Sequence, residues 1–149
     1  MPSGERARRE IRSDYRVFTP IQTRWMDNDI YGHVNNVTYY SYFDTAVNAW
    51  LMQAGLLSLK GDELIGLVVE TGCRYHAAVA FPQRLEAGLA VARIGNSSVT
   101  YRVGIFAEGA GEAAAAGHFT HVYVEAATRR PVSLPERWRD VLSSLLVDH

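Results

Sequence analysis

The spacing of apolar and polar residues changes several times along the chain, and each change marks an element. From Val17 to Trp25, the residues Val17, Thr19, Ile21, Thr23 and Trp25 alternate with Phe18, Pro20, Gln22 and Arg24, which is the period of a strand. Pro20 has no N–H for a ladder, so this strand is expected at a sheet edge or interrupted there. Tyr40, Phe43, Val47, Trp50, Leu51 and Ala54 then recur at helical spacing as far as Gly55, a residue suited to ending a helix. Val37, Tyr39 and Ala46 widen that stripe and predict a helix of about Asn36 to Ala54 buried on most sides.

Four strand-like runs follow with little helix between them. Ile65 to Ala80 places Leu67, Val69, Thr71, Cys73, Tyr75, Ala77 and Val79 on one face and Glu70, Arg74 and His76 on the other. Leu85, Ala87, Leu89 and Val91 mark the next strand, which ends at the turn Gly95-Asn96-Ser97. Val99, Tyr101, Val103 and Ile105 form the third, and Ala116 to Val124 the last, entered from the Ala/Gly-rich hairpin Glu108 to Gly117. Ser133-Leu134-Pro135-Glu136 reads as a capping box opening a short helix with Trp138, Val141, Leu142 and Leu145 on one stripe. Strands segregated from helices predict an α+β fold with one five-stranded antiparallel sheet and a long helix covering one of its faces.

Composition narrows the picture. The 149 residues are 48% hydrophobic, the size and content of one globular domain, expected here over 15–149 behind a flexible N-terminal arm at 1–14. Fifteen basic and sixteen acidic residues give a net charge of −1, which removes the broad electropositive surface that nucleic-acid binding needs. Cys73 is the single cysteine, so no internal disulfide or cysteine-rich zinc site can form. The arginine-rich start lacks the apolar core of a secretory signal, and no run is long enough to span a bilayer, so a cytoplasmic protein with no membrane association is expected.

The most informative stretch is the polar one before the long helix, from Arg24 to Asn36, with Asp27, Asp29, His33, Asn35 and Asn36 crowded together. Carboxylates and amides at that place sit beside the free N–H groups and positive dipole end of the helix, an environment for an anion or for a carbonyl oxygen gaining charge. The same residue types also build turns and caps, and composition alone does not separate the two uses.

The whole string does more. Asp27-x-Asp29-x-x-Gly32-His33-Val34-Asn35-Asn36-x-x-Tyr39 resembles the signature of hotdog-fold thioesterases, in the 4-hydroxybenzoyl-CoA thioesterase-like branch, and the resemblance extends over about residues 15 to 147. It implies an antiparallel sheet wrapped around the central helix, and an acyl-CoA thioester hydrolase in which Asp29 is general base or nucleophile. Tyr31 and His33 stand where plant relatives carry further candidates, although Tyr31 departs from the asparagine expected there. Asn36 stands where another branch has a histidine, so no His–Asp dyad is available at that position. The resemblance also implies a backbone N–H near Gly66 facing the thioester carbonyl, and a ligand near Asn96, Ser97 and Ser98.

Thioester chemistry agrees with this set. A thiolate leaves easily, so the demanding tasks are delivering a nucleophile and stabilising the oxyanion; Asp29 suits the first, and helix N-terminal amides or Asn36 the second. Coenzyme A phosphates require cations, for which Arg93, Arg102, Lys60, Arg129 and Arg130 are candidates. Tyr39, Tyr40, Tyr42, Phe43 and Trp50 are candidate walls of an acyl tunnel, or ordinary core.

Other residues carry less. Glu70 and Arg74 read as a surface ion pair, and His76, His118 and His121 lack metal-ligand spacing, so no metal or redox cofactor is implied. Ser97 and Ser98 lack the nucleophile elbow of the α/β-hydrolases, and Cys73 reads as a small core residue. A hydratase on the same fold would need a His-Phe-Pro-Gly type motif and a helix glutamate that do not appear. A non-catalytic acyl-CoA-binding or regulatory protein is the alternative from a different class. Because one sheet and one helix are too little to enclose acyl-CoA, a homodimer or dimer of dimers is expected, with the site between subunits.

Overall fold

The computed structural model describes residues 8–57 and 64–147. Five strands, β1 (Val17–Gln22), β2 (Leu64–Tyr75), β3 (Arg84–Ile94), β4 (Ser98–Ala107) and β5 (Ala115–Glu125), form one antiparallel sheet in the order β1-β3-β4-β5-β2. Helix α1 (Thr38–Gln53) packs on one face, and α2 (Glu136–Ser143) closes the end near β3. This is the expected α+β arrangement. Pro20 lies on β1, which pairs only with β3, so its missing N–H faces the open edge.

Alternation places the core. Leu85, Ala87, Leu89 and Val91 of β3 meet Val99, Tyr101, Val103 and Ile105 of β4, and against them α1 lays Tyr39, Tyr42, Phe43, Ala46, Val47 and Leu51. Each large aliphatic or aromatic side chain so buried contributes about 1.5–3 kcal/mol. Gly117 of β5 lets α1 approach, because a Cβ there would strike the Phe43 ring and the Gly72 carbonyl. Helix α1 ends at Gly55, whose φ of +76° is the left-handed conformation that suits glycine. Val37, predicted to widen the buried stripe, caps the helix instead and is 75% exposed.

Three local predictions are corrected. Strand β2 stops at Tyr75 rather than Ala80, because His76 and Ala77 both donate their N–H to Ala114 O and the chain leaves the ladder. A bulge at Val69 shifts its register between Val68 and Glu70. Gly66 and Val68 therefore share the helix-facing side with Thr71, Cys73 and Tyr75, while Leu67 projects outward. The Ser133 capping box does not form: Pro135 is the N-cap of α2, and the Ser133 hydroxyl donates to Asn96 Oδ1.

Of the predicted arm, residues 1–7 lie outside the described residues, while 8–14 make specific contacts. Arg9 donates to Ala113 O, and Arg12 donates to Ala110 O and pairs with Glu86 at 2.7 Å. Their anchors are long polar side chains rather than buried apolar groups, which is why hydropathy does not reveal them. Tyr15 then lies over Gly88 and Gly104 on the outer face, where a Cβ at either position would collide with its ring, and forms a small second core with Ala90, Phe106 and Ala113.

Candidate active site

The loop between β1 and α1 is folded by its own backbone. Trp25–Asp27 makes a single 3₁₀ turn, Asn28 bridges to Val34, and Asp29 N–H donates to His33 O at 3.0 Å while Gly32 N–H returns to Asp29 O at 3.1 Å. Gly32 closes this tight hairpin with φ +85°, a conformation other residues rarely adopt. Val34 N–H then donates to Val79 O and Phe81 N–H to Asn28 Oδ1, which docks the hairpin on the chain after β2.

Asp27 anchors this loop. It is 1% exposed, and its carboxylate accepts from Arg24 N–H, from the Arg24 guanidinium at 2.9 and 3.1 Å, and from the Tyr42 hydroxyl at 2.7 Å. Burial alone would raise its pKa, but the hydrogen bonds from Tyr42 and Arg24 outweigh that and hold it below the ordinary value. Its backbone oxygen accepts Asn35 N–H at 2.9 Å. The first carboxylate of the pair thus serves structure.

Asp29, two residues on, is accessible. Oδ1 accepts Tyr31 N–H at 2.8 Å in an Asx turn, and Oδ2 lies 3.9 Å from His33 Nδ1, within ion-pair distance but beyond a hydrogen bond. Tyr31 stacks on His33. His33, Asn36 and Tyr39 share a small cavity of about 260 Å³ with Val34, Tyr75 and His76. Tyr75 packs edge-on against Tyr39 at 5.1 Å and donates its hydroxyl to Asn36 O at 3.2 Å. The first N–H groups of α1 are largely taken: Val37 donates to Asn35 Oδ1, Thr38 to Asn35 O, Tyr39 to Asn36 O and Tyr40 to Val37 O. Among the described residues the N–H of Asn36 has no acceptor.

The other predicted positions lie elsewhere in the chain. Gly66 is on the helix-facing side of β2 opposite Tyr123. Asn96, Ser97 and Ser98 make the β3–β4 turn, which is tied to the C-terminal segment by Leu134 N–H and Arg139, both donating to Asn96 O. Arg93 is exposed on β3 opposite Thr100. None of these lines the cavity that holds Asn36 and Tyr39. Tyr42 and Phe43 are core residues rather than cavity walls, and Trp50 is half-buried against the core. Glu70 faces His118 at 3.5 Å instead of Arg74. Lys60 falls outside the described residues. Among the described residues no cluster of His, Cys, Asp and Glu is placed to hold a metal, and no helix is long and apolar enough to cross a membrane.

Sequence reasoning missed Tyr75 as a cavity residue and Tyr42 as the partner of Asp27. For Tyr75 the signal was its place on the helix-facing side of β2. For Tyr42 it was a hydroxyl on an otherwise apolar stripe, which needs a partner when buried.

Comparison with known proteins places this geometry. Residues 23–142 match the model of the thioesterase-like superfamily. The PA5185 protein from Pseudomonas aeruginosa strain PAO1 is 58% identical, with a TM-score of 0.90 over 93% of this chain and 97% of that one. Slr0204, a 1,4-dihydroxy-2-naphthoyl-CoA thioesterase from Synechocystis, is similar in fold at 19% identity, with a TM-score of 0.76 over 86% of this chain and 96% of that one. The YsmA protein of Bacillus subtilis (strain 168) is 24% identical over 91 residues, so this chain spans 61% of that relative's length. The fold is a hotdog, and with the family match running from Thr23 in the polar loop to Leu142 in α2, the chain belongs to the thioesterase-like superfamily.

Proposed function

We propose that the protein hydrolyses an acyl-CoA thioester to the free acid and coenzyme A, with Asp29 as general base or nucleophile. The observation that carries this reading is the hairpin 28–34, which holds Asp29 accessible beside His33 while the neighbouring Asp27 is committed to structure. As base, Asp29 takes a proton from water attacking the carbonyl; as nucleophile, it forms a mixed anhydride and expels the thiolate, and water then cleaves the anhydride. The Asn36 N–H, without an acceptor among the described residues and on a residue that lines the cavity, is the donor we assign to the developing oxyanion. Tyr39 contributes a wall for the acyl group.

The site is shared between two copies of the chain in this reading. Strand β2 is a sheet edge twelve residues long, and Gly66 to Thr71 are exposed along it, including Val68 and Val69 at 47% and 59%. An apolar edge of that length, exposed among the described residues, invites pairing with another strand. Around the hairpin, Trp25, Met26, Ile30 and Tyr31 are more than two-thirds exposed, an apolar rim suited to a partner surface or ligand. A second protomer also brings its own Gly66 and its Asn96–Ser98 turn as elements absent from the cavity of the first.

A panel of acyl-CoA substrates, aliphatic and aromatic, assayed for thiol release tests the reading. Turnover of at least one member is expected. Saturable binding of acyl-CoA with no thiol release would make the protein the non-catalytic binding module instead. Solvent oxygen found in the Asp29 carboxylate after a single turnover identifies a nucleophile whose anhydride is cleaved at the Asp29 carbonyl, and an acyl group trapped on Asp29 by rapid quench identifies the nucleophile whichever carbonyl water attacks.

A further inference from the structure

A second and larger cavity, of about 560 Å³, lies on the outer face of the sheet, away from α1. Its size is that of a small-molecule site, for which about 300–1,000 Å³ is usual. Sheet register explains its shape. Arg102 of β4 pairs with His118 of β5 and His118 with Gly72 of β2; one row on, Gly104, Ala116 and Arg74 follow one another. Residues in register project from the same face, so Arg102, His118 and Arg74 rise around a floor of Gly72 and Ala116. The segment before β1 supplies the opposite wall with Arg8, Glu10 and Asp14.

Charge in this groove is unevenly matched. Asp14 is occupied by Arg8 at 2.8 and 2.9 Å and by Ile11 N–H; Glu10 pairs with His76 at 3.0 Å, and Glu70 faces His118. The guanidinium groups of Arg74 and Arg102 have no acceptor among the described residues, and Arg102 Nε is buried without one. A buried donor without an acceptor is costly, and a guanidinium presents a fork that matches the oxygens of a phosphate or carboxylate.

We propose that the outer-face groove binds a small-molecule ligand through an oxyanion group held by Arg102 and Arg74. The site does not depend on the role given to Asp29. Two sources fit the chemistry: a free anionic metabolite, or the phosphates of coenzyme A. The second is open because Glu10 of the groove pairs with His76, which lines the cavity at Asn36, so one side-chain contact links a wall of each.

Calorimetric titration of the full chain with inorganic pyrophosphate at low ionic strength tests the site. Saturable binding is expected, weakened at least about tenfold by Arg102→Gln and several-fold by Arg74→Gln, and unchanged by Arg84→Gln outside the groove or by Asp29→Asn. Thermal melts add a second readout: pyrophosphate should raise the melting temperature of the wild type and not of Arg102→Gln. If Arg102→Gln does not fold, Arg74→Gln carries the comparison. Competition by coenzyme A assigns the groove to the carrier's phosphates; a lack of competition assigns it to a separate anion. No saturable binding below about 10 mM, or equal binding by wild type and the groove variants, would overturn the proposal.

Discussion

Tyr42 donates its hydroxyl to Asp27 Oδ2 at 2.7 Å, and this buried bond ties the second turn of α1 to the loop that carries Asp29. Removing the hydroxyl leaves a buried carboxylate oxygen short of a donor. Tyr42→Phe is therefore expected to lower stability by about 1–3 kcal/mol, read as a shift in the denaturant midpoint. A variant as stable as the wild type would show that the loop does not depend on this anchor.

Asp27 and His121 give stability a pH dependence of one sign. Asp27 has a depressed pKa, so the stability it contributes is complete above its ordinary value of 3.8 and is lost as pH falls through the folded value. His121, buried between Tyr101 and Tyr123, has its pKa lowered from 6.5 chiefly by burial. Below pH 6.5 the unfolded chain binds a proton that the folded chain resists, so stability declines from there as pH falls. Melting curves should show a first decline below about pH 6.5, absent in His121→Phe, and a second in the acid range, reduced in Asp27→Asn, with Glu86, held down by its hydrogen bond from Arg12, contributing to the remainder.

Gly117 sets the closeness of α1 to the sheet. In Gly117→Ala the new methyl meets the Phe43 ring and the Gly72 backbone, and only the ring can yield. Overpacking of this kind costs about 1–3 kcal/mol, and a melting temperature several degrees lower is expected.

The exposed β2 edge is expected to pair with its copy. Light scattering should report a dimer or larger assembly for the wild type, and Val68→Lys with Val69→Lys should yield monomers that have lost thioester hydrolysis. Active monomers would contradict a shared site.

Much of this was legible in the residues because each element has one dominant period. Leu85 to Val91 and Val99 to Ile105 alternate without interruption, and their strands form where expected. Where a strand carries a bulge, as at Val69, period-two reading fails beyond it, and Leu67 was put on the wrong face. The capping box failed because α2 starts later in the chain, with Pro135 as N-cap, and the Ser133 hydroxyl donates instead to Asn96, 37 positions away in sequence. In the site, the string Asp27 to Tyr39 located the loop, and the resemblance it carries implied a role for Asp29. What holds Asp27 is partly local, Arg24 three residues before it, and partly tertiary, the Tyr42 hydroxyl reaching back from α1, which the string itself does not contain.

Asp29→Asn tests the central claim most directly, because it keeps the Asx turn to Tyr31 and removes only the charge and basicity. With a thioester that the wild type turns over, and with the variant's fold checked by circular dichroism, kcat/KM is expected to fall at least about a hundredfold, the contribution of a positioned general base. An undiminished rate would show that Asp29 is not the carboxylate that performs the reaction.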